Sequence, residues 1–188
     1  MIFDSYLRWR HSKGFGVHSP FAYHIVTTAI TPGRRYAYYG YAPIDTILET
    51  TPAKDFSFGK IRKDARLLLR LSVALGAKRI FLSPEAHPAF RVAAEVSGGM
   101  VVPDMGNCYP SADDLVLLTP FNEKSFNLMK DAIAGGAAVM LTSPSPFSAN
   151  LLKGILSQDF DGVMLYGKRT ALLLPRPHTA HARYSMAF

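Results

Sequence analysis

The chain has 188 residues, of which 48% are hydrophobic, and a formal net charge of +7. This length is about that of one domain, and the hydrophobic content is sufficient for a full core, which excludes a wholly disordered chain. No apolar run approaches the roughly 20 residues of a membrane span. The single cysteine, Cys108, excludes an internal disulfide framework and a cysteine-rich zinc site. The start has no apolar signal region, so we expect a cytoplasmic protein without a membrane partner.

The positive charge is concentrated at the two ends of the chain. Residues 1–44 carry five basic residues against one acidic residue, and residues 162–188 carry four basic residues and no acidic one. A basic surface attracts nucleic acid, phosphorylated ligands or anionic lipid. Scattered charges of this kind are also typical of a solvated surface, so both interpretations stay open.

Residues 1–60 are predicted to form a segment of helices and loops that packs on the main domain. Helices are expected over residues 3–10, 20–30 and 44–49. Ser19 before Pro20 is typical of an N-cap followed by proline at the first helical position. The tyrosines between residues 36 and 41, next to two arginines, could stack on bases or pack over the sheet.

Residues 61–188 are predicted to form an α/β domain in which short apolar strands alternate with helices. The expected helices are 61–75, 86–96, 123–134 and 147–156, and the expected strands are 79–82, 100–102, 115–118, 138–141, 163–166 and 170–174. Such alternation predicts a mostly parallel sheet with helices on both faces. The last two strands are close enough to form an antiparallel hairpin at one edge of the sheet.

The stretch from Arg10 to His24 (RHSKGFGVHSPFAYH) resembles the opening of a group of small class I S-adenosylmethionine-dependent methyltransferases of Bacteroidetes-type bacteria. The tyrosines of residues 36–39, the helix and strand between residues 65 and 83, and the last hairpin, 160–174, are also similar to that group. The resemblance is nearly end to end, with a shortened middle. It implies a Rossmann-like methyltransferase fold with S-adenosylmethionine as the cofactor.

The positions that would hold the cofactor depart from the family pattern. The family has an acidic residue and several glycines after its first strand, whereas Ser83, Pro84 and Glu85 stand here. Proline fixes φ and lacks an N–H, and every β-carbon hinders close approach of the backbone. By position alone, the resemblance implies that Ser83, Glu85, Asp104 and Thr119 would lie at the cofactor. Asp104 could hold a ribose hydroxyl or only cap a turn.

Later strands depart from the family in the same way. Thr119 and Pro120 replace an aspartate and a glycine, and residues 142–147 replace paired aspartates, a histidine and an aromatic residue, of which only the aromatic is kept. These changes all fall at carboxyl ends of strands, while core positions remain apolar. We therefore predict a methyltransferase-like protein that has lost cofactor binding and catalysis, with a role in binding or assembly and no cofactor or metal.

Two alternatives stay open, an active S-adenosylmethionine-dependent methyltransferase acting on a small molecule, and a nucleic-acid binder that uses the basic ends. The partner is not identified, and a homo-oligomer is possible. We also expect the crevice beyond Leu82 to be narrowed by Pro84, Pro88 and residues 144–147.

The remaining polar residues are assigned structural roles. We expect His18 to anchor its loop by hydrogen bonding, and Glu85 and His87 to form a rigid surface turn rather than an acid–base pair. Asp113 and Asp114 precede a strand, so a solvated turn is expected there. Cys108 is interpreted as an inert thiol, and His178 and His181 as solvated residues of a basic tail.

Overall fold

A computed structural model describes residues 2–31, 40–51, 58–103 and 108–188, with residues 2–4 described by their backbone alone. Asp104 and the tyrosines and arginines of residues 34–39 lie outside these ranges. The α-helices are α1 (Ile2–Ser12), α2 (Pro20–Ile25), α3 (Tyr41–Thr50), α4 (Phe58–Leu75), α5 (Pro88–Val96), α6 (Phe126–Ala134) and α7 (Ala149–Leu156). The strands are β1 (Arg79–Leu82), β2 (Met100–Val102), β3 (Asp114–Leu118), β4 (Ala138–Thr142), β5 (Gly162–Tyr166), β6 (Thr170–Pro175) and β7 (Ala182–Ser185).

All seven strands form one mixed, mostly parallel sheet in the order β2-β1-β3-β4-β6-β5-β7. Strands β1 to β4 are mutually parallel where they pair, β6 is antiparallel to both β4 and β5, and β7 is parallel to β5. The predicted α/β class and the β5–β6 hairpin are confirmed. The hairpin was expected at the edge of the sheet, but β7 pairs outside it and forms that edge.

Strand β7 was missed because its sequence, Ala-Arg-Tyr-Ser, is half-exposed and carries a charge. His181, expected to be solvated, is half-buried beside it. Its Nδ1 lies 2.7 Å from the Phe160 carbonyl oxygen, and Arg183 Nε donates to its Nε2 at 2.6 Å. Because Nε2 accepts, Nδ1 carries the proton and donates to Phe160. The ring therefore helps to fix the edge strand.

Side chains alternate between two cores on opposite faces of the sheet. Ile80 and Leu82 lie in a core with α3, α4 and α5, whereas Phe81 lies in a second core with α6 and α7. This alternation follows from the period of two along a strand. The described part of the β2–β3 connection contains no helix, in keeping with the expected short middle.

The N-terminal helices pack on the first of these cores. Ser19 Oγ accepts a hydrogen bond from Ala22 N and Pro20 is the first residue of α2, as predicted. The helix continues as a π-helical turn, Val26–Ile30, rather than as α-helix. His18 is exposed and makes no side-chain hydrogen bond to the described residues, so its expected anchoring role is wrong. His11 makes a long-range contact instead, since its Nδ1 lies 3.1 Å from Ser185 O and so joins α1 to β7.

None of the helices within the described ranges is long and apolar enough to cross a membrane.

Candidate binding sites at the carboxyl edge of the sheet

The carboxyl ends of β1 to β5 lie along one edge of the sheet, because these strands all run in the same direction. After β1 the chain goes to β2 on one side and then to β3 on the other. In open α/β sheets this switch point is where ligands usually bind, in a crevice outside the strand ends. The candidate cofactor residues Ser83 and Thr119 follow β1 and β3 directly, so the structure brings these two together.

Two hydrogen bonds join Ser83 to Thr119 at this switch point. Ser83 Oγ donates to Thr119 O at 2.8 Å and accepts from Thr119 N at 2.9 Å. Ser83 N also donates to Leu117 O at 3.0 Å, which extends the β1–β3 pairing by one residue. The serine hydroxyl thus uses its one donor and one of its acceptor sites within the protein. The ends of β1 and β3 are held together here, and a cavity of about 310 Å³ opens beside them, lined by Leu82, Ser83 and Pro84.

The loop after β1 is a turn, closed by a backbone hydrogen bond that Ala86 N donates to Ser83 O at 2.9 Å. Glu85 is exposed and makes no side-chain hydrogen bond to the described residues. His87 Nδ1 accepts from Ala89 N at 3.1 Å and so caps α5. Because Nδ1 accepts, Nε2 carries the proton and donates to Thr51 O at 2.8 Å. His87 therefore joins the end of α3 to the start of α5, which is a structural role.

The cavity beside Leu82 is lined by Ser83 and Pro84, as expected for Pro84, but by neither Pro88 nor residues 144–147, so the narrowing expected from these is not seen. Phe147 N donates to Lys168 O at 2.8 Å, in the turn between β5 and β6. The Phe147 ring meets Phe121 edge to face, with ring centroids 6.1 Å apart. The loop after β4 thus covers the second core, and the contact beside β1 is made by Ser83 and Thr119 instead.

A cavity of about 590 Å³ lies farther along the same edge. Its walls come from α1, the first turns of α4, the β5–β6 turn and the tail after β7. Ser143 N donates to Arg169 O at 3.0 Å, which fixes the turn against the end of β4. The basic side chains in the walls are Arg8, Lys60, Lys63, Lys168 and Arg169, and the acidic one is Asp64. The two basic ends of the chain therefore meet at one cavity.

A buried polar network forms the inner wall of this cavity. Lys60 Nζ donates to Asp64 Oδ1 at 2.7 Å and to Thr170 Oγ1 at 2.8 Å, and Thr142 Oγ1 donates to Asp64 Oδ2 at 2.5 Å. Only 3% of the Asp64 side chain and 13% of the Lys60 side chain are exposed. Burial raises the pKa of Asp64 above its usual value, although the charge and hydrogen bond of Lys60 act in the opposite direction.

Asp64 was not singled out from the sequence, although a signal was present. It lies on the apolar face of α4, three residues after Ile61 and four before Leu68, and Lys60 precedes it by four residues. Positions three and four apart share a helix face, so an acid among apolar residues there indicates a buried charge with a partner one turn away.

The opposite edge of the sheet holds a second buried acid. Asp114, expected in a solvated turn, is 2% exposed and accepts from Arg79 Nη2 at 2.6 Å and Nε at 2.9 Å. Burial disfavours its ionised form, but hydrogen bonds from Arg79 and Ser111 outweigh this and lower the pKa of Asp114. Asp113 is exposed and pairs with Lys78. Arg79 Nη1 also lies 2.9 Å from the sulfur of half-buried Cys108. Charge pairs stabilise this edge, and a cavity of about 420 Å³ there is lined by Asp113, Asp114 and Arg176.

The described ranges contain no group of three or more His, Cys, Asp or Glu placed to hold a metal ion. No protein-family model matches the chain, and no curated protein or solved structure matches it significantly. The geometry of the carboxyl edge is therefore the main structural indication of function.

Proposed function

We propose that this chain is a methyltransferase-type protein with a Rossmann-like fold that has lost S-adenosylmethionine binding and acts by binding another molecule. The parallel strands β1 to β4 followed by the antiparallel β5–β6 hairpin support the fold assignment, together with the family resemblance of the sequence. The double hydrogen bond between Ser83 and Thr119 is the observation that carries the loss of cofactor binding.

A cofactor at the switch point needs backbone groups that it can approach closely. Ser83 has a β-carbon and a hydroxyl already engaged with Thr119, and Pro84 has no N–H to offer. Separating the strand ends would break two hydrogen bonds, and an unpaired Thr119 N–H would cost about 1–3 kcal/mol if it stayed buried. A ligand would have to supply this free energy in addition to that of its own binding.

Isothermal titration with S-adenosylmethionine tests the proposal, with S-adenosylhomocysteine as a second ligand that lacks the sulfonium charge. We expect no saturable heat from either ligand up to millimolar concentration, with the protein shown to be folded by its circular dichroism spectrum and cooperative unfolding. Micromolar binding of either ligand would overturn the proposal.

Micromolar binding would instead support the alternative, an active methyltransferase with an unusual cofactor site. The third function, nucleic-acid binding, is favoured by one observation, the meeting of basic side chains from both chain ends at one cavity. Binding of a single-stranded oligonucleotide that weakens steeply with salt would support it. No retention on nucleic acid at low salt would exclude it.

A further inference from the structure

The cavity at the carboxyl edge has the size of a small-molecule site. Its volume of about 590 Å³ falls within the roughly 300–1,000 Å³ of typical ligand pockets. It is bounded on one side by α1 and the tail after β7, and on the other by α4 and the β5–β6 turn. It lies beyond β4, away from the switch point and from the smaller cavity beside Ser83.

The charge of the cavity wall is strongly positive. Five described basic side chains line it against the single acidic side chain of Asp64, which already pairs with Lys60. The side chains of Lys63, Lys168 and Arg169 form no hydrogen bond or ion pair with another residue of the described ranges. Like charges around one cavity repel each other, and an anion between them relieves that repulsion.

Part of the positive charge is fixed in position. Lys60 is held by Asp64 and Thr170, which take two of its three N–H groups. Thr170 is fully buried, so this end of the site is rigid. The third N–H of Lys60 remains for a ligand, and a pre-positioned donor reduces the entropic cost of binding.

The cavity also has an apolar wall. Phe188 and Met186 line it, and the Phe188 ring lies close against the backbone of Gly167, where a β-carbon would come within 2.8 Å of a ring atom. Gly167 directly precedes Lys168, so the aromatic ring and the free cations are neighbours. This arrangement fits a ligand that combines an anionic group with a flat organic part.

We propose that this cavity binds a small phosphorylated molecule, with its phosphate at Lys63, Lys168 and Arg169 and its organic part against Phe188. Arginine and lysine are the usual partners of phosphate, and a dianion matches several cations better than a monovalent carboxylate does. The inference rests on the proposed binding role and gives that role a site and a ligand class.

Titration with uridine monophosphate, inorganic phosphate and uridine tests this inference. Uridine monophosphate is chosen because S-adenosylmethionine contains neither uracil nor phosphate. At low ionic strength we expect saturable one-to-one binding of uridine monophosphate, weaker binding of inorganic phosphate, and none of uridine. Binding should weaken as salt is added, because the contacts are electrostatic.

The variant Lys168→Gln/Arg169→Gln removes two free cations from the exposed β5–β6 turn. We expect it to weaken the binding of uridine monophosphate by about tenfold or more, since two charge-assisted contacts to the phosphate would be lost. The matched control is Lys124→Gln/Lys153→Gln, which removes the same charge from exposed positions outside the cavity. The control should bind within about twofold of the unmodified chain.

Failure of uridine monophosphate to bind, or equal weakening in both variants, would overturn the inference. Tighter binding of a single-stranded oligonucleotide with the same dependence on Lys168 and Arg169 would also overturn it, because the surface would then be a nucleic-acid interface. The proposed loss of S-adenosylmethionine binding is tested separately, by titration of the unmodified chain with the cofactor. Its failure would therefore be distinguishable from a failure of this inference.

Discussion

Ser83 and Thr119 exchange two hydrogen bonds across the carboxyl ends of β1 and β3. The Ser83 hydroxyl and the Thr119 N–H are thereby engaged with each other at the switch point, whereas Thr119 Oγ1 is buried there without a hydrogen-bond partner among the described residues. A cavity of about 310 Å³ opens beside Leu82, Ser83 and Pro84, and a cationic cavity of about 590 Å³ with Lys60 and Asp64 in its inner wall lies beyond β4. The carboxyl edge of the sheet therefore has one cavity at its centre and another to the side.

Replacing Ser83 with alanine should destabilise the fold, because Thr119 N would lose its partner at a closed strand end. We expect a loss of about 1–3 kcal/mol in the free energy of unfolding, measured by urea denaturation. The control is Ser157→Ala, which removes an exposed hydroxyl hydrogen-bonded to Gly154 O. Its free energy of unfolding should stay within about 0.5 kcal/mol of that of the unmodified chain. Equal effects of the two changes would contradict the role of Ser83.

Replacing Asp64 with alanine should be more damaging, because Lys60 would remain buried without its counter-ion. Breaking a buried pair in this way costs about 3–5 kcal/mol. The double variant Lys60→Met/Asp64→Leu removes both charges and should recover most of that loss. The exposed pair of Arg91 and Glu95 provides the comparison, and Glu95→Ala should cost less than about 1 kcal/mol. A double variant no more stable than Asp64→Ala would contradict this account.

Acid should weaken the fold through Asp114, whose pKa is lowered in the folded chain. Its contribution to the free energy of unfolding is present in full above the pKa of the unfolded chain, about 3.9. This contribution is lost as the pH falls through the lower pKa of the folded chain. Between pH 5 and pH 2 the unmodified chain should therefore lose more stability than Asp114→Asn. Asp113→Asn is the control, since the Asp113 side chain is 60% exposed. Urea midpoints that fall in parallel for Asp114→Asn and the unmodified chain would refute the prediction.

His11 and His18 should differ in their effect on stability. His11→Ala removes the bond to Ser185 O and an edge contact with Tyr184, whose ring centroid is 5.7 Å away. We expect a loss of about 1 kcal/mol and faster amide exchange in β7. His18→Ala, at an exposed position, should leave the free energy of unfolding and the amide exchange of β7 nearly unchanged. If amide exchange in β7 became faster in His18→Ala but not in His11→Ala, His18 and not His11 would be the residue that holds β7.

Local patterns were sufficient for most helices and strands. The bounds of β1 and β2 were predicted to the residue, because each is a short apolar run between turn residues. Ser19 and Pro20 fixed the start of α2 through cap chemistry that acts within one turn. Helix α4 was predicted from its apolar spacing, although it begins three residues earlier, at Phe58.

The partners of buried charges could not be predicted in this way. Asp114 was expected in solvent, because Arg79, its partner, lies 35 residues away and meets it only when β1 pairs with β3. The contact of His11 was not predicted, because its partner, Ser185 in β7, lies 174 residues away. Such contacts depend on strand order, which no local spacing encodes.

The sequence by itself determined the α/β class, the order of the helices and of strands β1 to β6, the C-terminal hairpin and the absence of glycine between Leu82 and Pro88, because these depend on periodicity and on the residues of single turns. Only the tertiary structure decided that Ser83 closes on Thr119, that β7 forms the edge of the sheet, and that the basic ends of the chain meet at one cavity. The physical reason is that pairing across the sheet joins atoms far apart in the chain, so that the site exists only after the strands have assembled.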